Sequence, residues 1–324
     1  GINYLDKTLS KKETNKLYDE IIESLIQETS LELSLHNIKI DNAFEELKEN
    51  LSESRKNRSN QSRKNSQLFN NNYHFEKEFF ELLILQYESL WIILTRTIYL
   101  EEYDLKIKGL KKRKLVMFLF ILNNQINNLN SVLKLSKSGY FQNSDRIFRN
   151  FIELSEKSLA ILFDDKYFSL FQEETSSKKE EFDKWHKQKP SKTFEIVKKA
   201  LSTLENDEFY SLFYEVRDKL YNKHSKVVHG DFESILRGSI YYDKNSELLR
   251  MYLYGNVDDN LKHNLNGYLI YLKIMIQAQT VILVKDFNLH FGQFREDGDY
   301  YIFLNSLTDK IFKVYLKLFQ TQNN

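Results

Sequence analysis

Residues Phe75 to Tyr103 read FEKEFFELLILQYESLWIILTRTIYLEEY, a stretch of 29 residues with no glycine and no proline. Its apolar positions, Leu82, Leu83, Leu85, Leu90, Trp91, Ile92 and Leu94 among them, are dense enough to coat more than one face of a helix. A helix of that kind needs apolar neighbours on several sides, so it belongs at the centre of a bundle. The rest of the chain is read outward from it.

Toward the N-terminus, Lys11 to Asn50 reads as one or two amphipathic helices, with Leu17, Ile21, Ile22, Leu25 and Ile26 spaced to form one stripe. Ser52 to Gln67 is rich in Ser, Asn, Arg and Lys and has no apolar residue, which predicts a solvated linker or helix end. Its cations Arg55, Lys56, Arg58, Arg63 and Lys64 can meet phosphates, but a charged loop needs no ligand. The domain expectation is therefore an N-terminal helical extension and basic linker over residues 1–70, followed by a larger helical domain over residues 71–324.

Toward the C-terminus, a basic turn from Lys108 to Lys114 leads into a helix from about Leu115 to Ser136. Another is expected over Tyr140–Phe163, capped by Asn143 or Ser144 and ended at Asp164-Asp165. Thr175 to Ser191 is a hydrophilic excursion that reads as a surface helix plus loop. Helices follow over Phe194–Leu204 and Asp207–Val228; in the second, Phe209, Phe213, Val216, Leu220 and Val227 recur at helical spacing and should face the core. Between Ser234 and Tyr254, aromatic and Ile residues flank Asp243-Lys-Asn-Ser, the pattern of a short hairpin. A long helix over Asp258–Asp286, an irregular segment over Phe287–Tyr301 with Gly292 and Gly298, and a terminal helix over Asn305–Gln320 complete the reading. The fold class predicted is all-α: a helical bundle with an N-terminal helical extension and one small β-hairpin.

Composition agrees with that class. One proline and nine glycines in 324 residues leave long stretches free of breakers. Lys and Arg total 47 against 46 Asp and Glu, so no global field draws the chain to nucleic acid or an anionic bilayer, and any such binding has to be local. The absence of cysteine excludes disulfides, thiolate nucleophiles and cysteine-ligated clusters. The N-terminal residues lack the apolar run of a secretory signal, and Gly267–Val284, interrupted by Lys273 and two glutamines, reads as a buried core helix rather than a membrane span. The expectation is a cytoplasmic protein with no membrane partner. His36, His74, His186, His263 and His290 are scattered with no HExxH pattern, so no metal and no other cofactor is expected.

The chemistry-bearing segment is Arg217 to Asp231, RDKLYNKHSKVVHGD. Arg217 and His224 lie seven positions apart, and seven steps of about 100° bring both to one face of an unbroken helix. An arginine fork matches phosphate, and a histidine moves protons near neutral pH, so the pair has the parts for metal-free cleavage of RNA by its own 2′-OH. Such a site wants a second acid or base, which a two-fold dimer can supply from its other copy. Elsewhere Arg149 and Glu153 sit one turn apart, while Tyr221, Ser225 and His229 step by four along one side of a later helix. These five suit a hydrogen-bonded cluster. Two readings stay open: a buried polar network fixing helix register, or a ligand-binding or catalytic site.

The Arg217/His224 spacing resembles the long form of the variable Arg/His motif of HEPN ribonucleases, helical proteins of toxin and phage-defence systems. In that family the Arg and His carry RNA cleavage in a dimer cleft, and a polar residue follows the Arg, as Asp218 does here. A second resemblance spans residues about 120 to 285. Gly139-Tyr140, Arg149 with Glu153, and Tyr221, Ser225, His229 and Gly230 are similar to an uncharacterised family of bacterial helical proteins with RxxxE and YxxxSxxxHG helices, commonly placed beside HEPN-like domains. That match implies that Arg149, Glu153 and His229 meet in space.

Together the resemblances imply a metal-independent RNase or RNA-binding effector of a bacterial defence or toxin system. His224 is then the general acid/base and Arg217 the phosphate clamp, with His229, Tyr221, Ser225, Arg149, Glu153 and Asp218 in support. RNA and a second copy in a homodimer are the implied partners, with another protein of a defence system as a further one. The alternative is a non-catalytic helical protein-interaction module held by a structural polar network.

Overall fold

A chain this poor in breakers has few ways to satisfy its backbone other than long helices joined by short turns. The computed structural model describes residues 11–36, 47, 49, 63–100, 103, 107–173, 190–203, 207–229, 240–243, 248–251, 257 and 259–323. In chain order the helices are α1 Lys11–Ser34, α2 Arg63–Asn72, α3 His74–Ile98, α4 Gly109–Lys137, α5 Phe141–Phe163, α6 Asp165–Glu173, α7 Pro190–Ser202, α8 Asp207–His229, α9 Asp259–Phe287 and α10 Arg295–Asn323. A single 3₁₀ turn, Phe291–Phe294, precedes α10. Between α8 and α9, β1 Ile240–Asp243 pairs antiparallel with β2 Leu248–Met251, with Ile240 opposite Met251 and Asp243 opposite Leu248. The chain is thus an all-α bundle.

Two helices hold the middle. α5 packs against α4, α6, α7, α8 and α9, and α9 in turn against α3, α7, α8 and α10. Their shared face is aromatic. Phe148 of α5 stacks on Tyr268 of α9 with ring centroids 3.9 Å apart, and Phe213 of α8 stacks on Tyr271 of α9 at 5.4 Å. Each buried ring of this size contributes about 1.5–3 kcal/mol of transfer free energy, so this seam anchors α8 firmly. The approach is close because position 267 has no side chain: a Cβ there would stand 2.9 Å from Leu220 Cδ2 of α8.

The stretch Phe75–Tyr103 is the interior helix its composition predicts, with Phe79, Phe80, Leu83, Ile84, Tyr87, Leu90 and Leu94 inaccessible to solvent. Helix α9 is long and apolar enough to cross a membrane over Asn264–Phe287, but that span is mostly buried inside the protein, where it serves as a core helix. The N-terminal helices share the core of the larger part. Ile26 and Leu33 of α1 and Phe69 of α2 are buried in the same hydrophobic cluster as α3, α5 and α9. Lys310 of α10 adds an ion pair with Glu32 of α1 at 2.9 Å.

Several element boundaries differ from the sequence reading, each for a physical reason. The predicted linker gives way to helix from Arg63, because Phe69 has a core to enter and Asn65 Nδ2 donates to Ser138 O at 3.0 Å. The basic turn is helical from Gly109: Lys114, only 3% exposed, lays its ammonium on Leu162 O at 3.1 Å and on Asp165 at 2.5 Å. Ser144 is no N-cap. It lies inside α5, buried, and pairs with Ser136 of α4 at 2.9 Å, while Tyr140 occupies the cap position.

Pro190 opens α7 at the position where a missing N–H costs nothing, so Ser191 is helical. Gly298 does not interrupt the chain either; it lies in the first turn of α10, where an added Cβ would fall 1.8 Å from Phe291 O. The glycine there permits a close backbone approach. The stretch Thr175 to Lys189 lies outside the described residues, with the exception that its neighbour Pro190 is already in α7.

Candidate functional site

On α5, Phe148, Phe151, Ile152 and Leu159 fill the core, and the adjoining edge of the same helix carries Arg149, Glu153 and Glu156. Glu156 follows Arg149 by seven residues and so returns to nearly the same direction. α8 lies along this edge with Phe213 and Leu220 buried, which brings Arg217 and Tyr221 over α5. α7 closes the third side with Phe194.

Arg217 is held on every described side. Its Nε donates to Glu156 Oε1 at 2.8 Å and its Nη2 to Glu156 Oε2 at 3.2 Å, a paired fork that only a planar guanidinium makes. The guanidinium carbon sits 4.0 Å from the ring centroid of Phe194 and 4.4 Å from that of Tyr221. Nη1 donates to Asp218 Oδ1 at 3.3 Å, a longer bond to a carboxylate that is 62% exposed. The Arg217 side chain is 13% exposed and that of Glu156 7%, so the ion pair is largely withdrawn from water.

Electrostatics follow from that withdrawal. Burial pushes the Glu156 carboxyl above its ordinary range, and the hydrogen bonds and charge of Arg217 oppose the rise without cancelling it; Glu153 and Asp218 add to it. For Arg217, burial works against the cation, but the bonds and charge of Glu156 outweigh it and leave the guanidinium's pKa above its usual value. Removing one member of such a pair strands the other in a poorly solvated place.

Arg149 approaches the same tyrosine. Its Nε donates to Glu153 Oε1 at 3.1 Å, its Nη2 to Tyr221 Oη at 3.4 Å, and its guanidinium carbon lies 4.7 Å from the Tyr221 ring centroid. Its Nη1 is buried and has no hydrogen-bond partner among the described residues. Two guanidinium groups therefore face one tyrosine, and one of them keeps an open donor. Like charges this near repel, and Glu153, Glu156 and Asp218 offset that repulsion.

Of the residues singled out in the sequence, Arg149, Glu153, Arg217, Asp218 and Tyr221 come together at the α5/α8 contact. His224, Ser225 and His229 belong to α8 by backbone, and their side chains lie outside the described residues. So do the linker cations Arg55, Lys56 and Arg58, while Arg63 and Lys64 are placed by backbone in α2. Two members of the cluster escaped the sequence reading. Glu156 carries the same seven-residue spacing from Arg149 that drew notice to Arg217 and His224, so its signal was present; Phe194 stands on another helix and gave none.

Among the described residues no group of three or more His, Asp or Glu side chains is placed to hold a metal ion. The arrangement offers hydrogen bonding and charge: an immobilised guanidinium, a second with a donor that has no partner among the described residues, and an aromatic ring that both approach. No protein-family model, curated protein or solved structure that was compared with the chain matches it.

Proposed function

We propose that this protein is an effector that binds RNA through a phosphate at the α5/α8 contact and cleaves it without metal. The observation that carries the reading is the convergence of Arg149 and Arg217 on Tyr221, with Arg149 Nη1 left open among the described residues. Two guanidinium groups beside one tyrosine, one of them with a donor unpartnered among the described residues, supply hydrogen bonds of the kind that grip a phosphodiester. In this reading Arg217 stabilises charge on the phosphoryl oxygens, Arg149 supports it, and His224 moves the proton of the attacking 2′-OH. His229, Ser225 and Tyr221 orient that turn, and the second acid comes from another copy of the chain. The resemblance to HEPN ribonucleases supplies the substrate class, the dimer and a place in a bacterial defence or toxin system, with another protein of that system as a further partner.

One observation favours a second reading. Glu156 already takes two donors of Arg217, as it would in a polar network that only fixes the rotation of α8 on α5. The protein would then be a non-catalytic helical interaction module. Incubating the purified chain with total RNA in the presence of a chelator separates the two. Cleavage that disappears in both Arg217→Ala and His224→Ala, while His224→Ala melts like wild type, supports the effector. Intact RNA at all protein concentrations, with no RNA retained, leaves the module.

A further inference from the structure

Arginine can present two edges to an oxygen ligand, the Nε/Nη2 edge and the Nη1/Nη2 edge, and a phosphate needs only one of them. In this protein the Nε/Nη2 edge of Arg217 is spent inward on both oxygens of Glu156, at 2.8 and 3.2 Å. The plane of the group is fixed by contacts with Phe194 at 4.0 Å and Tyr221 at 4.4 Å. The remaining edge has as its sole acceptor among the described residues the carboxylate of Asp218, which is 62% exposed, through a 3.3 Å bond from Nη1. A free arginine would lose several rotors' worth of entropy on gripping an anion; this one has lost them already.

We infer that Glu156 and Phe194 are positioning residues that hold Arg217 as a rigid donor to an anionic phosphoryl group at its Nη1/Nη2 edge, with Asp218 as the incumbent that the phosphate displaces. This deepens the reading above, resting on it for RNA as the source of the phosphate. Glu156 touches no substrate atom. It acts through Arg217 alone, by direction rather than by charge, since its negative charge weakens the field a phosphate feels. The arrangement favours binding a backbone over reading a base, because the guanidinium and the Tyr221 ring are already engaged with each other.

The test uses the full ¹⁵N-arginine-labelled chain, with the Arg217 side-chain signal assigned by its loss in Arg217→Lys. Inorganic phosphate and a mixed-sequence single-stranded RNA oligonucleotide are the two probes. In wild type, the Arg217 Nε–H should be sharp and protected from exchange, and phosphate should shift the guanidinium signals. Glu156→Gln and Phe194→Leu should broaden the Nε–H and weaken RNA binding about tenfold, with circular dichroism unchanged.

RNA affinity within twofold of wild type in both variants, despite an altered Arg217 signal, overturns the inference. Should Glu156→Gln fail to fold, Phe194→Leu, which keeps the apolar contact, decides it. Phosphate that shifts Arg217 in a chain that binds no RNA upholds the anion site and removes the RNA reading. RNA binding with Arg217 unmoved removes this inference and the α5/α8 phosphate site, and leaves RNA binding at another surface.

Discussion

Two polar clusters in this bundle look alike on paper and differ in the molecule. The first lies between α3, α9 and α10, where Lys273 is fully inaccessible and donates to Thr308 Oγ1 at 2.9 Å and Asn305 Oδ1 at 3.5 Å, with Asp309 at 2.6 Å. Gln86 links the same group, donating to Asn305 at 2.8 Å and accepting from Thr308 at 2.9 Å. The second is the Arg149–Tyr221–Arg217–Glu156 cluster at the rim of α5. In the first, the ammonium is ringed by acceptors and no solvent reaches it. In the second, a buried donor is open among the described residues and an exposed carboxylate stands at the outer edge. Saturation in the interior fixes the register of three helices, whereas an unfinished cluster at an edge is where a ligand completes the set.

The largest effect that sharpens this contrast concerns catalysis. His224→Ala should lower metal-free RNA cleavage by about 10²- to 10⁴-fold, the usual contribution of a positioned acid or base, with little change in melting temperature. Activity within tenfold of wild type would erase the functional half of the comparison.

Next comes the interior cluster. Lys273→Ala strands Thr308, Asn305 and Asp309 around a void and should destabilise the fold by about 3 kcal/mol in denaturant titrations, somewhat less than for a fully buried pair because Asp309 can rehydrate. RNA affinity per folded molecule should stay at the wild-type value. Burial already pulls the Lys273 pKa below its ordinary value against the pull of Asp309, a sign of how little water is present. A loss of affinity equal to that of a rim variant would show the two clusters to be one system.

A smaller effect is expected at Arg149. Arg149→Gln removes an i,i+4 pair with the partly exposed Glu153, worth a few tenths of a kcal/mol, so stability should fall by less than about 1 kcal/mol. RNA binding should weaken about tenfold, and the salt dependence of binding should lose about one unit of slope. The opposite pattern, with stability lost and binding kept, would move Arg149 into the structural class.

The smallest effect is a pH dependence. Because burial raises the Glu156 pKa in the folded state, the folded chain holds that proton more tightly than the unfolded one. The resulting stabilisation is fully present below the unfolded carboxyl value of about 4.3 and is lost as pH rises through the raised folded value. Glu156→Gln cannot titrate and should therefore gain on wild type as pH goes from 4 to 7 in paired unfolding curves. A gap that moves in favour of wild type would mean that the Arg217 pair outweighs burial.

Much of the architecture was readable from local signals. The spacing of Phe213 and Leu220, with Val216 partly buried against the same core, foretold the inner face of α8, while the side chains of Phe209 and Val227 lie outside the described residues; the breaker-free run around Leu83 and Leu90 foretold an interior helix. The hairpin near Asp243 was readable from its turn residues. Boundaries were less so: nothing near Lys114 announces that its ammonium reaches a carbonyl 48 residues away, and Gly298 looks like a breaker until Phe291 is folded against it. For the site, Arg149, Glu153, Tyr221 and Arg217 were legible as residues with chemistry at helical spacing. Their meeting at a single tyrosine was an expectation only for the first two with the later helix.

What the sequence determined by itself is the helical class, the identity of most helices and the side each turns inward, because those properties depend on spacings of three to seven residues along one chain segment. Which side chains meet was decided by tertiary structure alone. Arg217 finds Glu156 across 61 residues, Phe194 comes from a third helix, and Lys273 finds Thr308 across 35. The physical reason is that a partner across a helix contact is chosen by crossing angle and rotation, which follow from how buried rings such as Phe148 and Tyr268 stack and from the close approach that Gly267 permits.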